Sequence, residues 1–487
     1  MGEFKPSSFQ IDIFKAITDT NNSVGVKACA GGAKTTTLIK ALELIPKNKK
    51  VIFLSFSKSI VEELSKRVPK NIEVSTLHKY GLGILFANYG KVRISEKKLF
   101  YMSLKMFESW KVNEPKFSYI YRVSRLVDFM KMHMVYESDN DIFEIANKHS
   151  IQIFGNEITH AKELLAKSDK ASHQEIDFAD MIHLPASKNI KLRKFDYVFV
   201  DESQDLSKAQ REMIKKIINP INGRLIYVGD PDQAIYLFSG SDNDSFDRMG
   251  DIKSNTIQLP LSICYRCAKS IVKEAQRFVD HIQYDENQKE GTVISVKAES
   301  AIDKIHGDVF VICRNTKPLV LMFYRLLNNG IKANIKGKEI GDSIIALINK
   351  TRQTTIGGLE KHLELNKIKL NKSLTEKGVN RTEFHPSMID YVEKLEIIKI
   401  LCSKMSSVLQ LKKHIESIFI DEDVPGVLLM TIHKSKGLEK KKVFFLNPEL
   451  IPSKFAITPE QIQQEWNLMY VGITRAKEEL VYINNFK

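Results

Sequence analysis

Residues 28–37 read ACAGGAKTTT. Gly31 and Gly32 keep the backbone compact, Lys34 supplies an ammonium group and Thr35 a hydroxyl. A phosphate cradle needs successive N–H groups turned into one concavity at a helix start. It also needs a lysine for the β- and γ-phosphates and a hydroxyl for Mg²⁺. Ala33 stands where such loops place a glycine before the lysine. Further on, VFVDESQD ends an apolar run in Asp201 and Glu202. The first carboxylate can hold Mg²⁺ and the second can take a proton from an attacking water. A solvated acidic turn is the plainer reading of that pair alone. Taken together, a Lys-Thr loop and a strand ending Asp-Glu specify hydrolysis of a nucleoside triphosphate. A third apolar run, YVGDPDQAIYLFSG, carries Gln233, which can meet a γ-phosphate or a water. Tyr236 and Phe238 follow it. They suit either core packing or stacking on nucleobases.

These residues need strands that end in one place. SVGVKACA reads as a strand, TTTLIKALELI as a helix, KKVIFLSFS as a strand and KSIVEELSKRV as a helix. That alternation is βαβ grammar with a parallel sheet. From about residue 86 the pattern turns helical and rich in Met, Phe and Tyr, a stripe that reads as helix core. Strand grammar resumes at FDYVFVDESQD, and a second α/β unit starts near GDVFVICRN and returns at VPGVLLMTIHKSKGLEKKKVFFLN. The expected class is α/β, with two parallel-sheet P-loop domains, each interrupted by a mainly helical insertion. The first domain is expected over 1–85 and 184–262 with an insertion at 86–183. The second is expected over 263–349 and 424–487 with an insertion at 350–423.

The chain has 487 residues, 43% hydrophobic and 27% charged, which is globular composition. Its formal charge of +14 suits a polyanionic partner. No stretch reaches the roughly 20 apolar residues of a membrane span. MGEFKPSSFQ has neither the apolar core of a leader nor a Ser or Thr at position 6 for myristoylation, so neither is expected. Five cysteines form no visible disulfide framework and suit a reducing cytoplasm. Cys264 and Cys267 make one C-x-x-C pair, whereas a zinc site needs a second.

Taken in order, these segments resemble the UvrD/Rep family of superfamily 1 helicases, and within it compact phage-type or F-box-helicase-like members. DESQD is similar to the family's D-E-x-Q-D, and GDPDQAIYLFSGS to G-D-x-x-Q-x-I-Y-x-F-R-G-A. LSICYRCAKSI resembles the N-Y-R-S segment, MTIHKSKGLEKKKVFFLN the M-T-x-H-x-x-K-G-L-E segment, and NLMYVGITRAKEEL the L-x-Y-V-x-x-T-R-A segment. LSFSKSIVEEL, STLHKYG and IDFADMIHL resemble the T-F-T-N-K-A-A, T-F-H and D-F-x-D-L segments.

The resemblance implies two RecA-like domains with ATP and Mg²⁺ between them. Gln10 would read adenine and Tyr265 would stack on it. Ala30, Gly31, Gly32, Ala33, Lys34, Thr35 and Thr36 would hold the phosphates. Thr35 and Asp201 would hold Mg²⁺. Glu202 and Gln233 would serve the attacking water, and Arg266 and Arg475 the γ-phosphate. Gly437 and Glu439 would lie near the ribose. Phe56, Ser57, Thr76, His78, Tyr236, Phe238, His433 and Lys436 would face DNA, and Phe455 would be the wedge of a strand-separating pin. The two cysteines then merely flank Tyr265 and Arg266. The implied activity is a DNA-stimulated ATPase that moves 3′–5′ on single-stranded DNA and opens duplexes at single/double-strand junctions. A cytoplasmic monomer, off the membrane and with no identified protein partner, is expected. Two alternatives stay open: a DNA-binding relative with a weakened P-loop, and the motor subunit of a nuclease or defence complex.

The chain also departs from the family. Cys29 and Ala33 replace glycines, Thr36 and Ser239 replace arginines, and QQEWNLMYV lacks an arginine pair. The second insertion is much shorter than the family's, which leaves its control of unwinding open.

Overall fold

The computed structural model describes residues 4–486 apart from 56, 57, 70, 71, 115, 150, 238, 239, 243, 377, 378, 380, 404, 423 and 424. The chain folds as two compact units, Met1–Ser262 and Ile263–Lys487.

The first unit is built on six parallel strands: β1 (Ser23–Ala28), β2 (Val51–Ser55), β3 (Glu73–Thr76), β4 (Tyr197–Val200), β5 (Arg224–Gly229) and β6 (Thr256–Leu261). They lie in the order β3-β2-β4-β5-β1-β6. Alternate residues face opposite sides of the sheet. Val51 and Phe53 pack with Val24, Val26 and Leu38 on one side. Ile52 and Leu54 pack with Leu77, Tyr80 and Met213 on the other. Cover on both faces is why these strands read as unbroken apolar runs. The carboxyl ends of β4, β5 and β1 are neighbours, and each continues into one of the acidic or glycine-rich motifs.

The helix expected to change character at residue 86 runs on as Leu77–Tyr89 and stops at Gly90, whose φ of 77° is a left-handed terminator. Short strands Arg93–Ile94 and Glu175–Ile176 then pair and bring the two crossing segments together. Between them, four helices share a core of their own, including Leu99, Trp110, Tyr119, Leu126 and Leu164. The aromatic stripe is only partly core: Phe107 and Tyr119 are buried, while Tyr101, Phe117 and Tyr121 face solvent.

The second unit has seven parallel strands: β7 (Thr292–Lys297), β8 (Val309–Cys313), β9 (Ala333–Lys336), β10 (Phe419–Ile420), β11 (Val427–Thr431), β12 (Lys440–Leu446) and β13 (Ala476–Asn484). Their order is β7-β13-β12-β8-β11-β9-β10. Strand β10 falls inside the stretch expected to be helical and pairs with β9. The helices Ile356–Glu376 and Pro386–Cys402 contribute Leu359, Leu363 and Leu395 to the same core as Val311 and Leu429. This helical segment therefore shares its parent sheet's core, unlike the first. The two parallel α/β sheets are the fold class expected from the sequence.

Candidate nucleotide and nucleic-acid sites

In the first unit the loop after β1 turns at Gly31, with φ 68°, and passes Gly32. A Cβ on Gly32 would lie 3.0 Å from the Leu261 carbonyl and 3.1 Å from that of Cys29, so a side chain would press on backbone at both. Helix Lys34–Glu43 follows, and its N-cap is Ala33 at φ 59°, ψ 34°. That is the left-handed region, where a Cβ costs about 1 kcal/mol relative to glycine. The glycine-to-alanine departure therefore falls on a residue whose backbone favours glycine.

The helix start aims Lys34 and Thr35 at the acidic end of β4. Lys34 Nζ lies 3.7 Å from Glu202 Oε1. The Thr35 hydroxyl donates to Asp201 Oδ2 over 3.3 Å. Asp201 is fully buried, and Glu202 N–H donates to its other oxygen at 2.9 Å. Burial and the Glu202 carboxylate push the Asp201 carboxyl up to about 7, against the pull of Lys34 and Thr35. Two adjacent carboxylates facing one lysine, with the Thr35 hydroxyl beside them, form an oxygen donor set that fits Mg²⁺. Glu202 itself sits at φ 53°, a strained conformation for a non-glycine residue at a strand end.

Gln204 ties this end to the next strand. Its amide nitrogen donates to Glu202 Oε2 at 2.5 Å, and its oxygen accepts from Asp230 N at 3.0 Å. Gly229 has no room for a Cβ, which would fall 2.7 Å from that oxygen. Gln233 is buried, and its amide donates to Asp230 Oδ2 at 2.5 Å. Burial raises Asp230 to about 6, with Lys34 pulling the other way. Gln10 is 3% exposed, with both amide ends bonded inside the unit: Ser7 N donates to Oε1 at 3.0 Å and Nε2 donates to Thr37 Oγ1 at 2.9 Å. Each amide end keeps hydrogen-bonding capacity beyond these partners. Ala30 is buried, and Thr36 is half-buried one turn into the helix.

In the second unit, Arg266 and Arg475 both lie beside Glu439. Arg266 pairs with Glu439, and Lys477 Nζ lies 2.6 Å from the same carboxylate. Burial works against ionisation of Glu439, but Arg266 and Lys477 outweigh it and hold the carboxyl below its usual range. Arg475 is 1% exposed, following helix Pro459–Ile473. It donates to the carbonyls of Val471 (2.9 Å) and Leu438 (3.2 Å) and to Thr474 Oγ1 (3.2 Å). Burial, then the nearby Arg266, lower it to about 10. Tyr265 is 42% exposed between the buried Cys264 and Cys267. Gly437 has φ 86° in the turn before Glu439.

Phe56, Ser57 and Phe238 lie outside the described residues. Thr76 caps helix Leu77–Tyr89 by accepting from Lys79 N at 3.2 Å. The exposed His78 lines a cavity of about 170 Å³ with Ala179, Asp205, Gly240 and Ser241, so four of the motif segments meet there. Tyr236 is half-buried. In the second unit, burial, Arg314 and Lys436 push His433 down to about 3, so its ring is neutral near pH 7. Phe455 lines a groove of about 1040 Å³ with Ile368 and Met388, while Ile457, two residues on, is 74% exposed. The loop carrying Phe455 is held by Glu465, which accepts from Ser453 N at 3.0 Å and from the Arg314 fork at 2.7–3.1 Å.

Residues 11–252 match the model of the UvrD/REP helicase N-terminal domain. Residues 371–486 match that of the UvrD-like helicase C-terminal domain. The chain belongs to the UvrD-like helicase family. It is 24% identical to F-box DNA helicase protein 1 of Schizosaccharomyces pombe over 94% of its own length, but spans only 55% of that protein. It is 26% identical to the ATP-dependent DNA helicase Rep of Buchnera aphidicola, covering 64% of this chain and 67% of Rep. It is 22% identical to the ATP-dependent DNA helicase PcrA of Staphylococcus epidermidis, covering 97% of this chain and 82% of PcrA.

Several residues of this UvrD-like helicase chain escaped the sequence reading. In the IDFAD turn, Asp177 and Asp180 are buried while Phe178 between them is 48% exposed. Two fully buried lysines from the helical segment hold the turn: Lys131 reaches Asp177 (2.8 Å) and Asp180 (2.7 Å), and Lys98 reaches Asp180 (2.6 Å). Asp242, just after the third motif, takes Arg211 (2.8 Å), Lys148 (3.2 Å) and His133 (3.4 Å). Lysines are read as surface residues by type, so no pattern in the sequence marks Lys98 and Lys131 as buried.

Proposed function

We propose that the chain is an ATP-driven motor that moves 3′–5′ on single-stranded DNA and separates strands at single/double-strand junctions. One observation carries the reading: Lys34 and Thr35 of one strand–helix turn meet Glu202 and Asp201 at the end of β4. That constellation suits phosphoryl transfer to water. Lys34 and the loop N–H groups bind the β- and γ-phosphates, and Glu202 and Gln233 orient the attacking water, with Glu202 taking its proton. Arg266 and Arg475 supply positive charge to the transferring phosphoryl group. Thr35 and Asp201 are the residues that would hold Mg²⁺, which when bound neutralises phosphate charge. Thr76, His78, Tyr236, His433 and Lys436 contact the nucleic acid.

The reading extends to a cytoplasmic monomer. All five cysteines are free and buried, and among the described residues no helix is long and apolar enough to cross a membrane. The test is strand displacement on duplexes with a 3′ or a 5′ single-stranded tail. ATP-dependent opening of the 3′-tailed substrate is expected. Opening confined to the 5′-tailed duplex would reverse the polarity, and no opening of either would remove the helicase reading.

A further inference from the structure

The first unit's helical segment leaves three aromatic rings in water. On helix Lys116–His133, Phe117 and Tyr121 are 66% and 59% exposed, and on helix Lys98–Trp110, Tyr101 is 47% exposed. The spacing i, i+4, i+8 puts Phe117, Tyr121 and Arg125 on one face of the first helix. The same spacing aligns Lys97, Tyr101 and Lys105 on the second. Phe100 joins the two rows, stacked 6.3 Å from Phe117 and packed edge-on 5.7 Å from Tyr101. The patch is therefore continuous and alternates rings with cations.

Its charges are available. Among the described residues, Lys97 and Lys105 are exposed and pair with no carboxylate. Arg125 lies over Phe129, 5.5 Å from the ring centroid, and donates to the Tyr121 hydroxyl at 3.0 Å, which places a guanidinium beside that ring. Glu108 is taken by Lys116 at 2.9 Å. Glu96, next to Lys97, reduces the local charge without cancelling three cations.

Exposed rings of this size are costly to leave in water and mark an interaction surface. The flanking cations select a polyanion, and the rings select one whose bases are unstacked. Duplex DNA offers phosphates but hides its base faces. We infer that Tyr101, Phe117 and Tyr121, with Lys97, Lys105 and Arg125, form an auxiliary site for single-stranded nucleic acid on the helical segment, separate from the motif residues. This rests on the functional reading above and extends it: part of a long strand is held on the insertion as well as on the motor.

The test compares wild type with the triple variant Tyr101→Ala/Phe117→Ala/Tyr121→Ala, and with Lys97→Ala/Lys105→Ala. Affinity is read by fluorescence anisotropy on single strands of about 10 and about 30 nucleotides, since stacking proteins occupy roughly 4–16 nucleotides per site. All five side chains are exposed, so melting temperatures should match wild type. The triple variant should bind the longer strand about 10- to 100-fold more weakly and the shorter strand unchanged. The lysine variant should lower the salt dependence for the longer strand alone. Unchanged affinity for the longer strand would assign the rings to a protein partner and overturn the inference. An equal loss on both lengths would also overturn it, by merging the patch with the main path. Absence of single-strand binding by the wild-type protein would instead overturn the functional reading on which this site depends.

Discussion

The motif residues of the two units differ in charge, and burial acts on them in opposite directions. In the first unit the strand ends gather acids. Burial and anionic neighbours keep protons on Asp201, raised to about 7, and Asp230, raised to about 6. In the second unit the corresponding loops gather cations. Burial and cationic neighbours lower His433 to about 3, which leaves it neutral, and Arg475 to about 10, which leaves it charged. The first unit's excess of acids over cations would suit phosphates that arrive with a metal ion. The buried Arg475 guanidinium, held by the Val471 and Leu438 carbonyls, suits charge that would develop on a phosphoryl group. On the proposed reading, the acidic strand ends of the first unit would bind and activate, and the cations of the second would stabilise the transition state.

That division can be broken at its most sensitive point first. Lys34→Ala should cut kcat/KM for ATP by about 10³-fold or more, because it removes the cation facing Glu202 and the phosphates. A loss under tenfold, measured by coupled phosphate release, would take Lys34 out of the site. Arg475→Ala should come next, lowering kcat by on the order of 10²–10³-fold with KM within a few-fold. An effect confined to KM would remove the transition-state role of the second unit. Because Arg475 also bonds three backbone and hydroxyl acceptors, Arg475→Lys provides the check on folding.

Acid and base should then unfold the units with opposite sign. His433 has a folded pKa below its unfolded value, so its contribution is present above about 6.5 and is lost as pH falls toward about 3. Asp230 has a folded pKa above its unfolded value, so its contribution is present below about 3.8 and is lost as pH rises through about 6. Scanning calorimetry across pH should show His433→Gln removing a rise of stability with pH below about 6.5, and Asp230→Asn removing a fall of stability between about 3.8 and about 6. The same slope change in both variants would end the contrast. The smallest effect is expected from Ala33→Gly. Relief of the left-handed alanine should raise stability by about 1 kcal/mol or less and change KM for ATP less than about threefold. A larger kinetic change would mean that the methyl group shapes the phosphate loop itself.

The parts legible in the sequence were those with strong local grammar. Apolar runs ending in Asp201-Glu202 or Asp230 are strands buried on both faces, so both sheets and the order of their motifs could be read directly. Conformation at single residues could not. Nothing in CAGGAKT distinguishes a strained Ala33 from a relaxed one, and the double engagement of Gln10 depends on Thr37 at the far side of β1. Strand β10 has two residues, too few for a period, so the helices before it masked it. In helix Lys116–His133, aromatic residues point both inward and outward, because Tyr119 lies between Phe117 and Tyr121. Composition alone assigned all of them to the core. Buried Lys98 and Lys131 contradict their usual surface preference and become visible only with Asp177 and Asp180 beside them.

The central claim is that carboxylates at the end of β4 drive ATP hydrolysis in response to single-stranded DNA. Steady-state ATP turnover of wild type and Glu202→Gln, each with and without a single-stranded oligonucleotide, tests it most directly. The wild-type rate should rise with DNA, while Glu202→Gln should still bind ATP and lose about 10²–10⁴-fold in stimulated turnover. Equal stimulated rates in the two proteins would contradict the account.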